Sequence, residues 1–180
     1  MKAGEFAENL RRCAPDTSRL EEVGLSASEA EQFLLAFRCD EITSSTVTNL
    51  TGDPLIDLVN LYDVSTIEIG PITFVRPIVE RDRFWLVGKD EFASLVIDKA
   101  SREVRVDELS PASSATMRCA ENGESFLSAM LPAACFLGRC SYDLDLGQDQ
   151  EAITSQAEEC AELAGGNEYL DFYSYLLGSG

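Results

Sequence analysis

The sequence contains no histidine and only 14 lysines and arginines, against 32 aspartates and glutamates. The first absence removes the commonest general acid and base, the Ser-His and Cys-His dyads, and the commonest zinc ligand. Catalysis would have to run on carboxylates, lysine or a thiolate. The second shortage leaves a formal net charge of −18 and a pI near 4.2. A surface of that sign repels bare nucleic acid and anionic membranes and favours basic partners. Phosphate-cradling loops are missing too, since neither Gly-x-Gly-x-x-Gly nor Gly-x-x-x-x-Gly-Lys occurs. Long apolar runs are also lacking. The most apolar stretch, Phe126 to Gly138, is broken by Pro132 and too short to span a bilayer. Near the N-terminus, Glu5 and Glu8 interrupt the segment where a secretory signal needs unbroken apolar residues. These absences predict a cytoplasmic protein whose cysteines are reduced and serve mostly as small core hydrophobes. In that compartment the sequon-like Asn49-Leu50-Thr51 has no meaning.

What is present is ordinary globular composition. The 180 residues are 45% hydrophobic and 26% charged, enough for a single domain with a real core and no need of disulfides or metal. Ala3, Phe6, Ala7 and Leu10 recur at helical spacing, and Pro15-Asp16 should end that helix. A second helix is marked by a Ser28/Glu31 capping box, or Ser26/Glu29 in the alternative register. Its buried stripe would be Ala30, Phe33, Leu34 and Phe37. Thr43 to Thr51 reads as a loop or edge strand. Asp53-Pro54 is a strong helix start, with Leu55, Leu58, Val59 and Tyr62 on the apolar face.

After Asp63 the period changes to two. Ile67 and Ile69, then Ile72 and Phe74, alternate across a Gly70-Pro71 turn. Phe84–Gly88, Ser94–Asp98 and Glu103–Asp107 read as three further strands, the last two joined by a four-residue link at 99–102. Asn122 or Ser125 would cap a helix through Phe126, Leu127, Met130 and Leu131 that Pro132 kinks or ends. Gln150 to Ala164 is helical and stops at Gly165-Gly166, and Asn167 could cap a last helix lined by Leu170, Tyr173 and Leu177. The fold class is therefore α+β: an antiparallel meander over about residues 65–107, packed by N- and C-terminal helices. Residues 1–180 form one domain, with 141–180 an acidic helical appendage.

Several motifs invite a sharper chemistry and do not carry it. Cys135 and Cys140 are spaced C-x₄-C, with Cys119 and Cys160 as possible further ligands, but a Cys₄ zinc site usually shows two tight pairs. Asp143, Asp145 and Asp149 suggest a calcium loop, yet no bidentate glutamate stands at the twelfth position, which is Thr154. Trp85, with Phe84 and Phe92, reads as core rather than a stacking platform. The neighbouring Arg76, Arg81, Arg83 and Lys89 are interleaved with Glu80, Asp82, Asp90 and Glu91, a mixed solvated surface. No metal, cofactor or catalytic residue is expected.

The middle of the chain resembles the SUKH superfamily of bacterial immunity proteins, over roughly residues 65 to 137. The resemblance rests on the short strand Phe84–Gly88, the hairpin Leu95-Val96-Ile97-Asp98 with Glu103-Val104, and a helix opening on Ser125-Phe126-Leu127-Ser128-Ala129-Met130-Leu131. It departs at the hairpin, where Arg102 stands in place of the family's turn glycine. A side chain forced to positive φ costs about 1–2 kcal/mol, which points to a turn of a different type. The resemblance implies an antiparallel sheet packed by helices, no catalytic residues, and stoichiometric blocking of a toxin domain such as a nuclease or deaminase.

Charge agrees with that implication. After Arg139 there is no Lys or Arg, while Asp143, Asp145, Asp149, Glu151, Glu158, Glu159, Glu162, Glu168 and Asp171 all follow. A nuclease is basic where it holds phosphates, so an acidic partner can mimic the polyanion. Asp143, Asp145, Asp149 and Glu151 are the expected contact residues, on a chain expected to be monomeric and to bind a basic protein rather than nucleic acid or membrane. An acidic secretion chaperone for a virulence effector, with an exposed apolar groove, is the alternative, and a histidine-free enzyme the second alternative.

Overall fold

A computed structural model of the chain describes residues 1–43, 52–91, 93–108 and 116–178. Of the expectations above, the connection after Thr43, its Asn49 sequon and Phe92 lie outside the described residues. The architecture is mixed helix and sheet, with an antiparallel six-stranded sheet flanked by N- and C-terminal helices.

Helix α1 (Ala3–Arg12) buries Ala3, Phe6, Ala7 and Leu10, the four positions its spacing selects. A short α2 (Thr17–Glu22), not legible from periodicity, buries only Leu20. Helix α3 (Ala27–Leu34) begins in the alternative register, with Ser26 as its cap. Ser26 N donates to Glu29 Oε2 at 2.8 Å, and its hydroxyl does so at 2.6 Å. These bonds, the hydroxyl's foremost, hold the Glu29 carboxyl below the usual carboxylate range. The helix then tightens into a 3₁₀ turn at Leu35–Phe37. That changes the stripe: Ala30 and Phe37 are buried, but Phe33 and Leu34 are only half-buried.

Helix α4 (Pro54–Leu61) starts as expected, with Asp53 Oδ1 accepting from Leu55 N at 3.0 Å and Ile56 N at 3.3 Å. Leu55, Leu58 and Val59 are buried, whereas Tyr62 leaves the helix and is half-buried in strand β2 (Tyr62–Asp63). That strand pairs with β1 (Asp40–Glu41) in a two-stranded ribbon.

The main sheet is a pure meander: β3 (Glu68–Ile69), β4 (Ile72–Glu80), β5 (Phe84–Asp90), β6 (Ala93–Asp98), β7 (Val104–Asp107) and β8 (Thr116–Ala120) neighbour one another in chain order. Every pairing is antiparallel. Ile69, Ile72, Phe74, Leu95, Ile97 and Val104 belong to the core, and Val96, between two of them, is buried outside that cluster, so β6 is covered on both faces. Strand β8 was not legible, because its Thr116-Met117-Arg118-Cys119 shows no clean alternation.

Arg102 corrects the expectation about the hairpin. It does adopt the left-handed conformation, at φ +70°, so the turn keeps the geometry glycine would take. The strain is offset by what the side chain reaches. Its guanidinium donates to Asp53 Oδ2 at 2.8 Å and lies 5.0 Å from the centre of the Trp85 ring. Lys99 Nζ stands 5.4 Å from the same ring, so half-buried Trp85 packs against the core and carries two cations on its open side.

Helix α5 (Gly123–Cys140) is capped by Asn122, whose side chain accepts from Ser125 N at 2.9 Å. Pro132 neither ends it nor bounds it. The missing N–H and ring clash cost about 3 kcal/mol, but α5 buries Phe126, Leu127, Met130 and Phe136 at the centre of the molecule, and that apolar area outweighs the loss. Helix α6 (Gln150–Ala164) has the predicted bounds and stops at Gly165, φ +126°. Asn167 does not cap the last helix. It opens a 3₁₀ turn at Asn167–Tyr169 imposed by the two preceding glycines, and α7 (Leu170–Leu177) begins without a side-chain cap. One core joins these parts, with Phe6, Leu58, Ile72, Phe126, Ile153 and Phe172 in the same cluster.

The cysteines divide into two kinds. Cys13 and Cys135 form a disulfide between the end of α1 and α5, with Cα atoms 4.5 Å apart. That corrects the expectation of uniformly reduced thiols, whose basis was compartment and not geometry. Cys39, Cys119 and Cys160 are buried small hydrophobes, as expected, and Cys140 is half-buried. Burial pushes the thiols of Cys39 and Cys160 up to about 12, and that of Cys119 well above its ordinary value. No thiolate nucleophile is available from these three at neutral pH.

Candidate functional site

The acidic segment begins where α5 ends. Ser141 Oγ donates to the Gly138 carbonyl at 2.7 Å, turning the chain out of the helix. Asp143 Oδ1 then accepts from Leu146 N at 3.1 Å, which shapes a 3₁₀ turn at Leu146–Gln148. Asp149 caps α6, its Oδ1 accepting from Glu151 N at 3.0 Å and Ala152 N at 3.1 Å. Two of the four expected contact residues thus have a structural task as well. Glu151 lies in the first turn of α6, where the helix dipole favours its charge, Asp145 has no side-chain bond among the described residues, and all four are exposed.

Between Asp143 and Asp145 stands a residue that sequence reasoning passed over. Leu144 is 64% exposed, more than any other large hydrophobic side chain among the described residues. A lone apolar residue between two aspartates was the available signal. The calcium-loop pattern hid it, because that pattern draws attention to the acids alone.

Helix α6 continues the surface. Its inner side buries Ile153, Ala157, Cys160, Ala161 and Ala164, leaving Glu151, Glu158, Glu159 and Glu162 to solvent. Adding Glu168 and Asp171 around α7, all nine carboxylates after Arg139 are exposed. None joins an ion pair among the described residues. One of them, Glu162, sits in the last turn of α6, where the helix dipole favours cations. Stability alone would not choose that placement.

At the C-terminal end of β5 lies a carboxyl of another kind. Asp90 is 7% exposed and accepts from the Tyr175 hydroxyl at 3.1 Å, beside a shallow cleft bordered by Glu68, Thr73, Lys89 and Glu91. Burial pushes its carboxyl above the ordinary range, against the lowering effect of the Tyr175 bond. The folded state therefore holds this proton more tightly than the unfolded chain does. Stability from this group is present in acid and is lost as pH rises from the ordinary carboxylate range through the raised value. Asp90→Asn keeps the acceptor for Tyr175 without the charge. The variant should gain on the natural protein between pH 4 and pH 7 in urea midpoints, and a gap independent of pH would show that Asp90 titrates normally.

A third feature is an apolar groove of about 770 Å³ on the face where α3 and its 3₁₀ extension approach α5. The turn before β3 closes one side of it. Its position reflects the half-burial of Phe33, which the helix stripe alone would have put in the core. No helix among the described residues is long and apolar enough to cross a membrane. Comparison with models of known protein families, with curated proteins and with solved structures finds no match to the chain.

Proposed function

We propose that this protein is a stoichiometric binder of the immunity type, which neutralises a basic protein partner such as a nuclease or deaminase toxin domain. The carrying observation is the exposed carboxylate surface of residues 143–171, a stretch with nine carboxylates, no lysine or arginine of its own and no ion pair among the described residues. Such a surface steers a basic partner, raising association rates by about 10- to 1,000-fold at low salt. It also supplies the charge pattern that a phosphate-binding cleft is built to hold. Leu144 provides what charge cannot, an apolar anchor that becomes dry at the contact while the surrounding acids exclude the wrong partners. The resemblance to the SUKH immunity proteins supports the same reading, from a different part of the chain.

The test begins with affinity capture from the native cell and identification of a one-to-one partner. Asp145→Lys, Glu151→Lys and Glu158→Lys are then combined, leaving the turn and cap formed by Asp143 and Asp149 intact. The combined variant should bind at least about tenfold more weakly at low salt, with a flatter dependence of affinity on ionic strength. Unchanged affinity and salt slope would remove this surface from the interface, and capture of no basic partner would remove the function.

A further inference from the structure

The apolar groove has a composition that points to an occupant. Phe33, Leu35 and Ala36 form one wall, and Ala134, Leu137 and Gly138 of α5 form the other. Ile67 and Ile69 close the end, and the only charged residues among those lining the groove are Glu29 and Glu68. No lysine or arginine is among the lining residues. Glu68 is exposed, and the Ser26 bonds fix the Glu29 carboxylate at the lip, so the groove has an apolar floor and an anionic edge.

Two of the walls are helical, and their side-chain ridges offer grooves into which the apolar row of a third helix can pack. Such a row, at positions i, i+3, i+4 and i+7, covers Phe33, Ala134 and Leu137. Lysines or arginines flanking it would meet Glu29 and Glu68. At Gly138, α5 packs closely against the end of α1 and the 3₁₀ turn. A Cβ there would come within 2.9 Å of the Cys13 carbonyl and 3.2 Å of the Phe37 ring, so the helix backbone lies close against both.

We propose that this groove is a docking site for a basic amphipathic helix of a partner protein. Its lining reaches Ser141 and so borders the start of the carboxylate segment at Asp143, but it shares no residue with the surface of residues 143–171, and either can fail without the other.

The test uses the full chain and a labelled peptide of leucine and lysine, about 18 residues or five helical turns long, with leucines at helical spacing. Controls are a peptide with glutamate in place of lysine and one with the same composition in scrambled order. Thr66 is exposed at the lip, so Thr66→Trp fills the groove without disturbing the core. Glu29→Gln with Glu68→Lys changes the edge and keeps the hydrogen-bond acceptor for Ser26.

The leucine–lysine helix should bind by fluorescence anisotropy, and the two control peptides roughly tenfold more weakly. Thr66→Trp should weaken binding by about tenfold, the edge variant by about threefold, and the Asp145, Glu151, Glu158 reversal hardly at all. Binding that is blind to Thr66→Trp, or that survives scrambling, overturns the proposal. Loss of binding in the 145/151/158 reversal alone would place the peptide on the other surface, and overturns it too. A light-scattering mass of twice 19.7 kDa that Thr66→Trp halves would give the groove to a second copy of the chain, which also overturns it.

Discussion

Asp53→Ala should lower the unfolding free energy by about 2–4 kcal/mol, through the loss of a helix cap and of an ion pair in one step. The carboxylate is 4% exposed and serves two elements far apart in sequence. Its Oδ1 takes the first N–H groups of α4, and its Oδ2 takes the guanidinium of Arg102 on the β6–β7 turn. A lost cap alone costs about 0.5–2 kcal/mol. The rest comes from an Arg102 left without its acceptor, while its backbone still sits at φ +70°. Because the Arg102 side chain is 37% exposed, water recovers part of that loss, which holds the total below the cost of a fully buried pair. Arg102→Gly makes the comparison informative. It removes the same ion pair but relieves about 1–2 kcal/mol of backbone strain, so its urea midpoint should fall much less than that of Asp53→Ala. Equal midpoints in the two variants would mean that the cap and the strained turn contribute nothing, and would sink this account of the hairpin.

Gly88→Ala should cost about 3 kcal/mol, for a reason of space and not of backbone freedom. Gly88 does not have positive φ. A Cβ built there would press into the backbone carbonyl of Thr73 on the neighbouring strand, and would lie 3.0 Å from Leu95 Cδ2. Neither neighbour can withdraw cheaply. Thr73 is held by its pairing to Lys89, and Leu95 is fully buried. The register of β5 against β6 also shifts between Leu86 and Gly88. Gly24→Ala is the matched control, because Gly24 has φ +102° and open space around its Cα. It should pay only the backbone strain, about 1–2 kcal/mol. Thermal and urea unfolding of both variants decides the matter. A Gly88→Ala protein as stable as Gly24→Ala would show that β4 and β5 separate without cost.

Much of the fold could be read without coordinates, wherever one physical rule acted alone. Asp53-Pro54 starts α4 because a short carboxylate and a pre-set φ suit the first helical turn. Period two marks the start of the sheet at Ile69 to Phe74 and the strands β6 and β7, although β4 runs on to Glu80 and β5 to Asp90, and α6 ends at Gly165 because only glycine takes that φ readily. The acidic character of residues 143–171 was visible as well, since charge is a property of composition. The reading failed where two rules competed. Pro132 argued for a helix end, and the packing of α5 against α1, α4 and α6 overrode it. Asn167 argued for a cap, and the two glycines before it imposed a 3₁₀ turn instead. Arg102 argued against a left-handed turn, and Asp53, 49 residues earlier, supplied the compensation.

The candidate sites divide along the same line. By itself the sequence determined that the C-terminal segment is anionic, that no histidine chemistry operates, and that a strand-rich middle lies between N- and C-terminal helices. Those are properties of single residues and of spacings within one element. Only the tertiary structure decided that Asp143 and Asp149 also shape the backbone, that Leu144 stands out among acids, that Asp90 meets Tyr175, and that Cys13 meets Cys135. It alone opened the groove between Phe33, Ile67 and Leu137. The Asp143 and Asp149 bonds span only three residues, but the Asp90–Tyr175 and Cys13–Cys135 contacts and the groove join distant parts of the chain. No local period encodes them, because they exist only once burial of the core has fixed where each element lies.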